Sequence, residues 1–384
     1  MLKKFQVSNY RNFRDTITID FGKTGGYHFN QDCVTNQMIS KMIIYGRNAT
    51  GKTNLGEALF DIRKNLLGFI VGGSDKGIFL NADSDEQYAQ FVYVFQFDNN
   101  EVTYKYRRSD EYSLADEELL LNDSRCFYCD YLTDSFAFPN LSSLDAETAV
   151  VDRFLQSFAT PDEESSAMSR TPAFLRWLIN NTALKPNAIL LKLSDYVNRM
   201  SFMSANASLV MWPSKMIQKF VDLLEDPKEL SDFENFLNAM GIEGSLVCEK
   251  TPDGRTQLYF KHEKLIPFFE TASSGTMSAF NFYRRLKYNK APSLLYLDEF
   301  DAFYHYEMSE NVVRLIKVIF PQCQVIFTSH NTNLLTNRLL RPDCLFILSR
   351  TGQLTALCDA TSRELREGHN LEKMYISGEF DRYE

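Results

Sequence analysis

Residues 46 to 53 read Gly46-Arg47-Asn48-Ala49-Thr50-Gly51-Lys52-Thr53, and this octet constrains the fold more than any other feature of the chain. It fits G-x-x-x-x-G-K-[ST], in which glycines let the backbone curl so that its N–H groups face phosphates. The flanks are those the chemistry needs. Met42-Ile43-Ile44-Tyr45 before it is a short apolar run of the kind a buried parallel strand shows. After it, Leu55, Leu59, Ile62 and Leu66 recur at helical spacing. A helix beginning at Lys52 would aim its positive end at the same anion. Lys52 would reach the β- and γ-phosphates of ATP, and Thr53 would ligate Mg2+, with Asn54 following in the first turn. A structural glycine turn would not explain Lys-Thr at a helix start.

A second cluster lies far downstream. Leu294-Leu295-Tyr296-Leu297-Asp298-Glu299 is an apolar strand ending in two acids. In an α/β fold the carboxyl ends of the strands form the ligand crevice. Asp298 would hold Mg2+ through water, and Glu299 would polarise the attacking water.

Two more motifs flank that pair: Glu270-Thr271-Ala272-Ser273-Ser274-Gly275-Thr276 before it and Phe327-Thr328-Ser329-His330-Asn331 after it. In this order the four motifs resemble the ABC-type ATPases, within the branch of RecF, SMC proteins and the OLD-family ATPases. Asn9-Tyr10-Arg11-Asn12-Phe13-Arg14 looks like that branch's opening N-x-R-x-F. The signature segment and the closing Asn370-Leu371-Glu372-Lys373-Met374-Tyr375-Ile376-Ser377-Gly378 look like compact RloA-like or AbiL-like ATPases of bacterial defence loci. The resemblance covers about residues 1–120 and 245–384 and leaves the middle uncovered.

The resemblance implies that Ser273, Ser274 and Gly275 contact the γ-phosphate of ATP held by a second subunit. It implies that His330 is a switch histidine and that Phe300-Asp301-Ala302 passes information across a dimer. Two departures stand out: Ala49 replaces a glycine common in such loops, and the signature lacks its usual Gly-Gly pair. The glutamine that completes Mg2+ coordination in such enzymes could be Gln87, Gln90 or Gln96.

The expected architecture is α/β, an ATPase head with a mixed sheet, flanking helices and an N-terminal antiparallel β part, interrupted by helices. The expected parts are residues 1–145 with the phosphate loop, a helical insertion over 146–242, and 243–384 with signature, acidic pair and switch histidine. Alternation at Phe5, Val7 and Ile17, Ile19, Phe21 predicts two strands joined around Asn12 to Asp15. Asp98-Asn99-Asn100 and Pro252-Asp253-Gly254 predict hairpin turns. Helical periodicity runs over 151–158, 173–180, 188–200, 215–224 and 230–240. An apolar patch, Phe202, Met203, Val210, Met211 and Trp212, reads as core or, second, as a partner surface.

Charge and cysteines bear on partners and compartment. The net charge of −9 opposes a general nucleic-acid role, since phosphate neutralisation needs a basic excess. DNA remains a partner to be tested, through Lys3, Lys4, Arg11 and Arg14 or through Arg284, Arg285, Lys287 and Lys290, although solvated faces explain both clusters. Seven scattered cysteines favour a reducing cytoplasm over a disulfide framework, and the lone Cys126-x-x-Cys129 lacks the second ligand pair of a zinc site. No stretch approaches the roughly 18 apolar residues of a membrane span.

Three functions follow as expectations. The first is a homodimeric or larger ATPase that hydrolyses ATP slowly and regulates a separate effector, a toxin or nuclease, in a toxin–antitoxin-like antiviral defence system. The second is a RecF-like repair ATPase that binds DNA in an ATP-dependent way. The third is a scaffold that binds ATP without turnover.

Overall fold

The run around Ile43 is the middle of a six-stranded sheet. Its strands, in spatial order, are Ser201–Ser204, Leu294–Asp298, Gln324–Ser329, Lys41–Tyr45, Leu345–Leu348 and Leu354–Ala356. The first five run parallel and the last pairs antiparallel. Every residue of the three central strands is buried, which is why each holds an apolar run, Met42–Tyr45, Leu294–Leu297 and Val325–Phe327. The computed structural model describes residues 1–68, 78–159, 173–204, 214–288 and 291–384.

A seven-stranded antiparallel sheet packs beside it, in the order Ser135–Ala137, Ser124–Asp130, Leu114–Leu121, Asn100–Arg108, Ala89–Phe97, Leu2–Ser8 and Ile17–Asp20. The expected N-terminal pair is there, with Phe5 opposite Ile19. So is the Asp98–Asn100 hairpin. Period-two burial along Ala89–Phe97 and Asn100–Arg108 puts Phe91, Tyr93, Phe95, Tyr104 and Tyr106 inside. Their hydroxyls find partners on the helices that cover them: Tyr93 Oη donates to the Ala58 carbonyl at 2.9 Å and Tyr106 Oη to Asp61 Oδ2 at 3.0 Å.

The helix expected from Lys52 onward is two helices, Lys52–Leu59 and Ile62–Leu67. Asp61 sits at the break. It is buried between Lys64 at 3.1 Å and Arg108 at 3.1 Å, and this ion cluster fixes the corner. Burial pushes its carboxyl up, but Arg108 and Lys64 together hold it below the usual range.

The segment 146–242 carries the helices Val151–Ala159, Phe174–Asn181, Ile189–Asn198, Ser214–Leu223 and Pro227–Ala239. It is not helical throughout. Ser201–Ser204 runs parallel to Leu295–Asp298 as the edge strand of the six-stranded sheet. Phe202 stacks on Tyr296, ring centroids 5.3 Å apart, and Met203 is buried, so these two patch residues are core. Val210, Met211 and Trp212 lie outside the described residues.

The last part opens with the expected hairpin, Leu246–Lys250 against Thr256–Phe260, joined by Ile266–Pro267. It leads through a short helix, Phe268–Thr271, into Ser274–Tyr288. Cys126 and Cys129 are both buried in the strand Ser124–Asp130, and no metal-holding group of His, Cys, Asp and Glu occurs among the described residues.

Candidate functional site

Five parallel strands point their carboxyl ends the same way, so Tyr45, Asp298 and Ser329 finish on one edge. The phosphate loop leaves from Tyr45 on that edge. Gly51 turns the chain into the helix with φ +99° and no side-chain cap, so the first-turn N–H groups have no cap of their own. A Cβ on Gly51 would lie 2.3 Å from the Asn12 amide, so any side chain there collides. Lys52 is buried, and its Nζ donates to the Gly46 carbonyl at 2.7 Å and the Arg47 carbonyl at 3.1 Å. Burial lowers its pKa, while Glu299, Asp298 and Asp301 pull the other way. An ammonium satisfied only by loop carbonyls, beside an uncapped helix start, fits a phosphate chain that would replace those carbonyls.

The acidic strand meets the loop directly. Thr53 Oγ1 donates to Asp298 Oδ2 at 2.8 Å, and Tyr296 Oη donates to the Lys52 carbonyl at 2.6 Å. Burial raises the Asp298 carboxyl above the usual range, against the Thr53 and Thr328 hydroxyls that bond it. A buried carboxylate beside a threonine hydroxyl is a donor set that suits Mg2+. Glu299, the next residue, has a left-handed backbone with φ +47°. Asp301 accepts from Ser329 Oγ at 2.6 Å, and burial raises its carboxyl as well.

The opening motif Asn9–Arg14 has a task in the site that the sequence does not announce. Asn12 Nδ2 donates to the Thr50 carbonyl at 3.0 Å and its Oδ1 accepts from Asn54 at 2.7 Å. Arg11 donates to Asn54 Oδ1 at 3.0 Å and pairs with Glu57. The antiparallel part thus clamps the loop and its helix from the side. Asn54 is spent on this clamp. Ala49, at φ +66°, holds a left-handed conformation where glycine would be at ease.

The signature residues lie at the start of the helix Ser274–Tyr288. Ser273 Oγ accepts from the Thr276 N–H at 3.1 Å, capping the helix Ser274–Tyr288, and Ser273 and Ser274 are exposed. Gly275 lies against the acidic loop: a Cβ there would be 3.1 Å from the Phe303 carbonyl. Ser278 Oγ donates to Tyr304 Oη at 3.1 Å in the same contact. His330 is exposed at the end of its strand. Of the three glutamines, Gln96 is at the wrong end of its strand, where its N–H donates to the Met1 carbonyl. Gln90 pairs with Ser8 at the end nearer the Asn9–Asn12 turn, and Gln87 is exposed just before it.

The basic clusters are largely committed. Lys3 pairs with Glu101 at 2.5 Å, Lys4 with Asp20 at 3.7 Å and Lys287 with Glu229 at 2.5 Å, while Arg284 is buried. Arg284 therefore departs from the solvated-face expectation. Lys290 lies outside the described residues.

Residues 41–336, more than half the chain, match the family described as "AAA domain, putative AbiEii toxin, Type IV TA system". The chain belongs to that family. The matched span runs from the phosphate-loop strand through the acidic pair and His330. No curated protein matches. Among solved structures, the Smc head bound to the C-winged helix domain of ScpA is 15% identical, with 92% of this chain and 95% of that chain covered and a TM-score of 0.44. The SMC head domain from Thermotoga maritima is 17% identical over 92% and 98%, TM-score 0.42. The Pyrococcus furiosus Smc head with an extended coiled coil, bound to the C-terminal domain of ScpA, is 14% identical over 99% of each, TM-score 0.43. Similarity at that level carries no argument about function.

Proposed function

We propose that this member of the AAA family is an ATPase of the ABC type that binds ATP with Mg2+ at Gly46–Thr53 and Asp298. It hydrolyses the nucleotide with Glu299 and regulates a separate effector, a toxin or nuclease, in bacterial anti-phage defence. The observation that carries the ATP reading is the Thr53–Asp298 hydrogen bond at 2.8 Å, which joins the two sequence halves of the site. Bound Mg2+ would neutralise phosphate charge there. Lys52 would leave its loop carbonyls for the β- and γ-phosphates, Glu299 would orient the attacking water, and His330 would contact the γ-phosphate.

The site is completed by a second copy. Ser273 and Ser274 are exposed at the start of a helix of 15 residues, free to meet an anion from another molecule. A symmetric pair built this way sandwiches ATP between one copy's phosphate loop and the other's signature, and hydrolysis reopens it. A toxin–antitoxin setting, the coarser part of this role, is supported by the family description "putative AbiEii toxin, Type IV TA system". A cytoplasmic setting agrees with free cysteines throughout, and no helix among the described residues is long and apolar enough to cross a membrane. Glu299→Gln tests the hydrolytic role: the variant should bind ATP and lose turnover. Equal turnover in wild type and variant would reduce the chain to an ATP-binding scaffold.

A further inference from the structure

Thr328 is the penultimate residue of the strand that lies between the phosphate-loop strand and the acidic strand, and it is fully buried. Its hydroxyl makes two bonds at once. It donates to Asp298 Oδ1 at 2.9 Å and accepts from the Glu299 N–H at 2.8 Å. A hydroxyl has one proton, so these bonds use it in one fixed sense, as donor to the carboxylate and acceptor from the amide. The other Asp298 oxygen already accepts from Thr53 at 2.8 Å. The carboxylate is therefore held between two threonine hydroxyls, one on each flanking element.

The amide bond matters as much. Glu299 sits at φ +47°, a left-handed conformation that a residue with a Cβ resists. Its N–H is tied to Thr328 Oγ1, and that tie fixes the backbone from which the carboxylate projects. A buried threonine retained only for packing would need its methyl group and not this pair of bonds.

We infer that Thr328 is a positioning residue for the hydrolysis: one hydroxyl sets both the carboxylate of Asp298 and the backbone angle of Glu299. The inference rests on the ATPase reading of the site. It assigns no contact with nucleotide to Thr328. The loss of its hydroxyl acts through Asp298 on Mg2+ and through Glu299 on the water.

Thr328→Val keeps the shape and methyl group and removes the hydroxyl, whereas Thr328→Ser does the reverse. Turnover of the full chain is measured with each, together with the affinity of a fluorescent ATP analogue in Mg2+ and in EDTA. T328V should lose at least about tenfold in kcat, with KM rising by no more than its loss of Mg2+-dependent affinity, the pattern of a group needed beyond ground-state binding. Its gain in affinity on adding Mg2+ should shrink at least about fivefold while affinity in EDTA holds. T328S should behave as wild type in both. The inference is overturned if T328V keeps wild-type kcat and Mg2+ gain, or if T328S is impaired as much as T328V. Absence of Glu299-dependent turnover in the wild type would sink the hydrolytic reading instead. The Mg2+ gain would then decide the role of Thr328, and an unchanged gain in T328V would refute it. Should T328V not fold, Thr328→Ala carries the same two readouts.

Discussion

Thr53 and Asp298 are separated by 245 positions in the chain and share a hydrogen bond of 2.8 Å. The loop and the acidic strand are thereby one site before any ligand arrives. Asp298→Asn keeps an acceptor for Thr53 and removes the charge. We expect the affinity for ATP in Mg2+ to fall at least about tenfold, roughly 1.4 kcal/mol, while affinity in EDTA stays near wild type. Titration of both proteins under the two conditions checks this, and equal losses would show that Asp298 does not act through the cation.

The same burial sets a pH dependence. Asp298 and Asp301 have carboxyls raised by burial, so the folded chain binds their protons more tightly than the unfolded chain. Their contribution to stability is present below the ordinary carboxylate pKa and is lost as pH rises through the raised folded values. Mg2+ needs the ionised Asp298, so stabilisation by Mg2+ and ATP should grow over the same interval. Thermal melting from about pH 4.5 to 8, with and without Mg2+ and ATP, measures both slopes. D298N should reduce each of them, leaving the share of the stability slope that belongs to Asp301.

Ala49 holds φ +66° on the exposed crest of the phosphate loop. A left-handed conformation costs a non-glycine residue about 1–2 kcal/mol, and replacing it by glycine returns about 0.4–1 kcal/mol to the unfolded chain. Ala49→Gly should therefore raise stability by about 0.5–1 kcal/mol. Chemical denaturation without nucleotide measures it, and a destabilised A49G would mean that the alanine methyl makes a contact worth more than the strain.

Asp61 is fully buried against Arg108 and Lys64 at the corner between two helices. Neutralising one side of a buried pair strands the other charge, so Asp61→Asn should cost about 3–5 kcal/mol. Because these partners hold its carboxyl low, the contribution of Asp61 is present at neutral pH and lost as pH falls toward its folded value. The D61N variant should lose that acid-side slope.

Much of the architecture was legible because its signals are local. Met42–Tyr45 and Leu294–Leu297 are unbroken apolar runs, buried on both faces as such runs must be, and the Asp98–Asn100 and Pro252–Gly254 turns are where their turn residues place them. What sequence reasoning missed depended on distant partners. Leu114–Leu121 reads LADEELLL, more helix than strand by composition, and no local pattern announces that Glu117 will be buried. It is a strand because Tyr104 donates to Glu117 at 2.8 Å and Arg107 pairs with Asp116, partners on the adjacent strand. Ser201–Ser204 is too short to assert itself beside long helical periodicity, and only its parallel neighbour Leu294–Asp298 makes it an edge strand. The phosphate loop and acidic pair were found from motif and context. The Asn12 clamp on Thr50 and the paired hydrogen bonds of Thr328 were not, because a lone polar residue carries no periodic signal.

Complementation between two crippled chains tests the central claim, a nucleotide site shared by two copies, most directly. Lys52→Ala removes the phosphate contact, and Ser274→Arg places a bulky cation at an exposed signature position without disturbing a buried contact. Each variant alone should be silent in ATP turnover. Co-expressed and purified as a mixed assembly, they should regain turnover, because one of the two composite sites then carries an intact loop and an intact signature. A mixed assembly that forms and stays as silent as its parents would contradict a head-to-tail site.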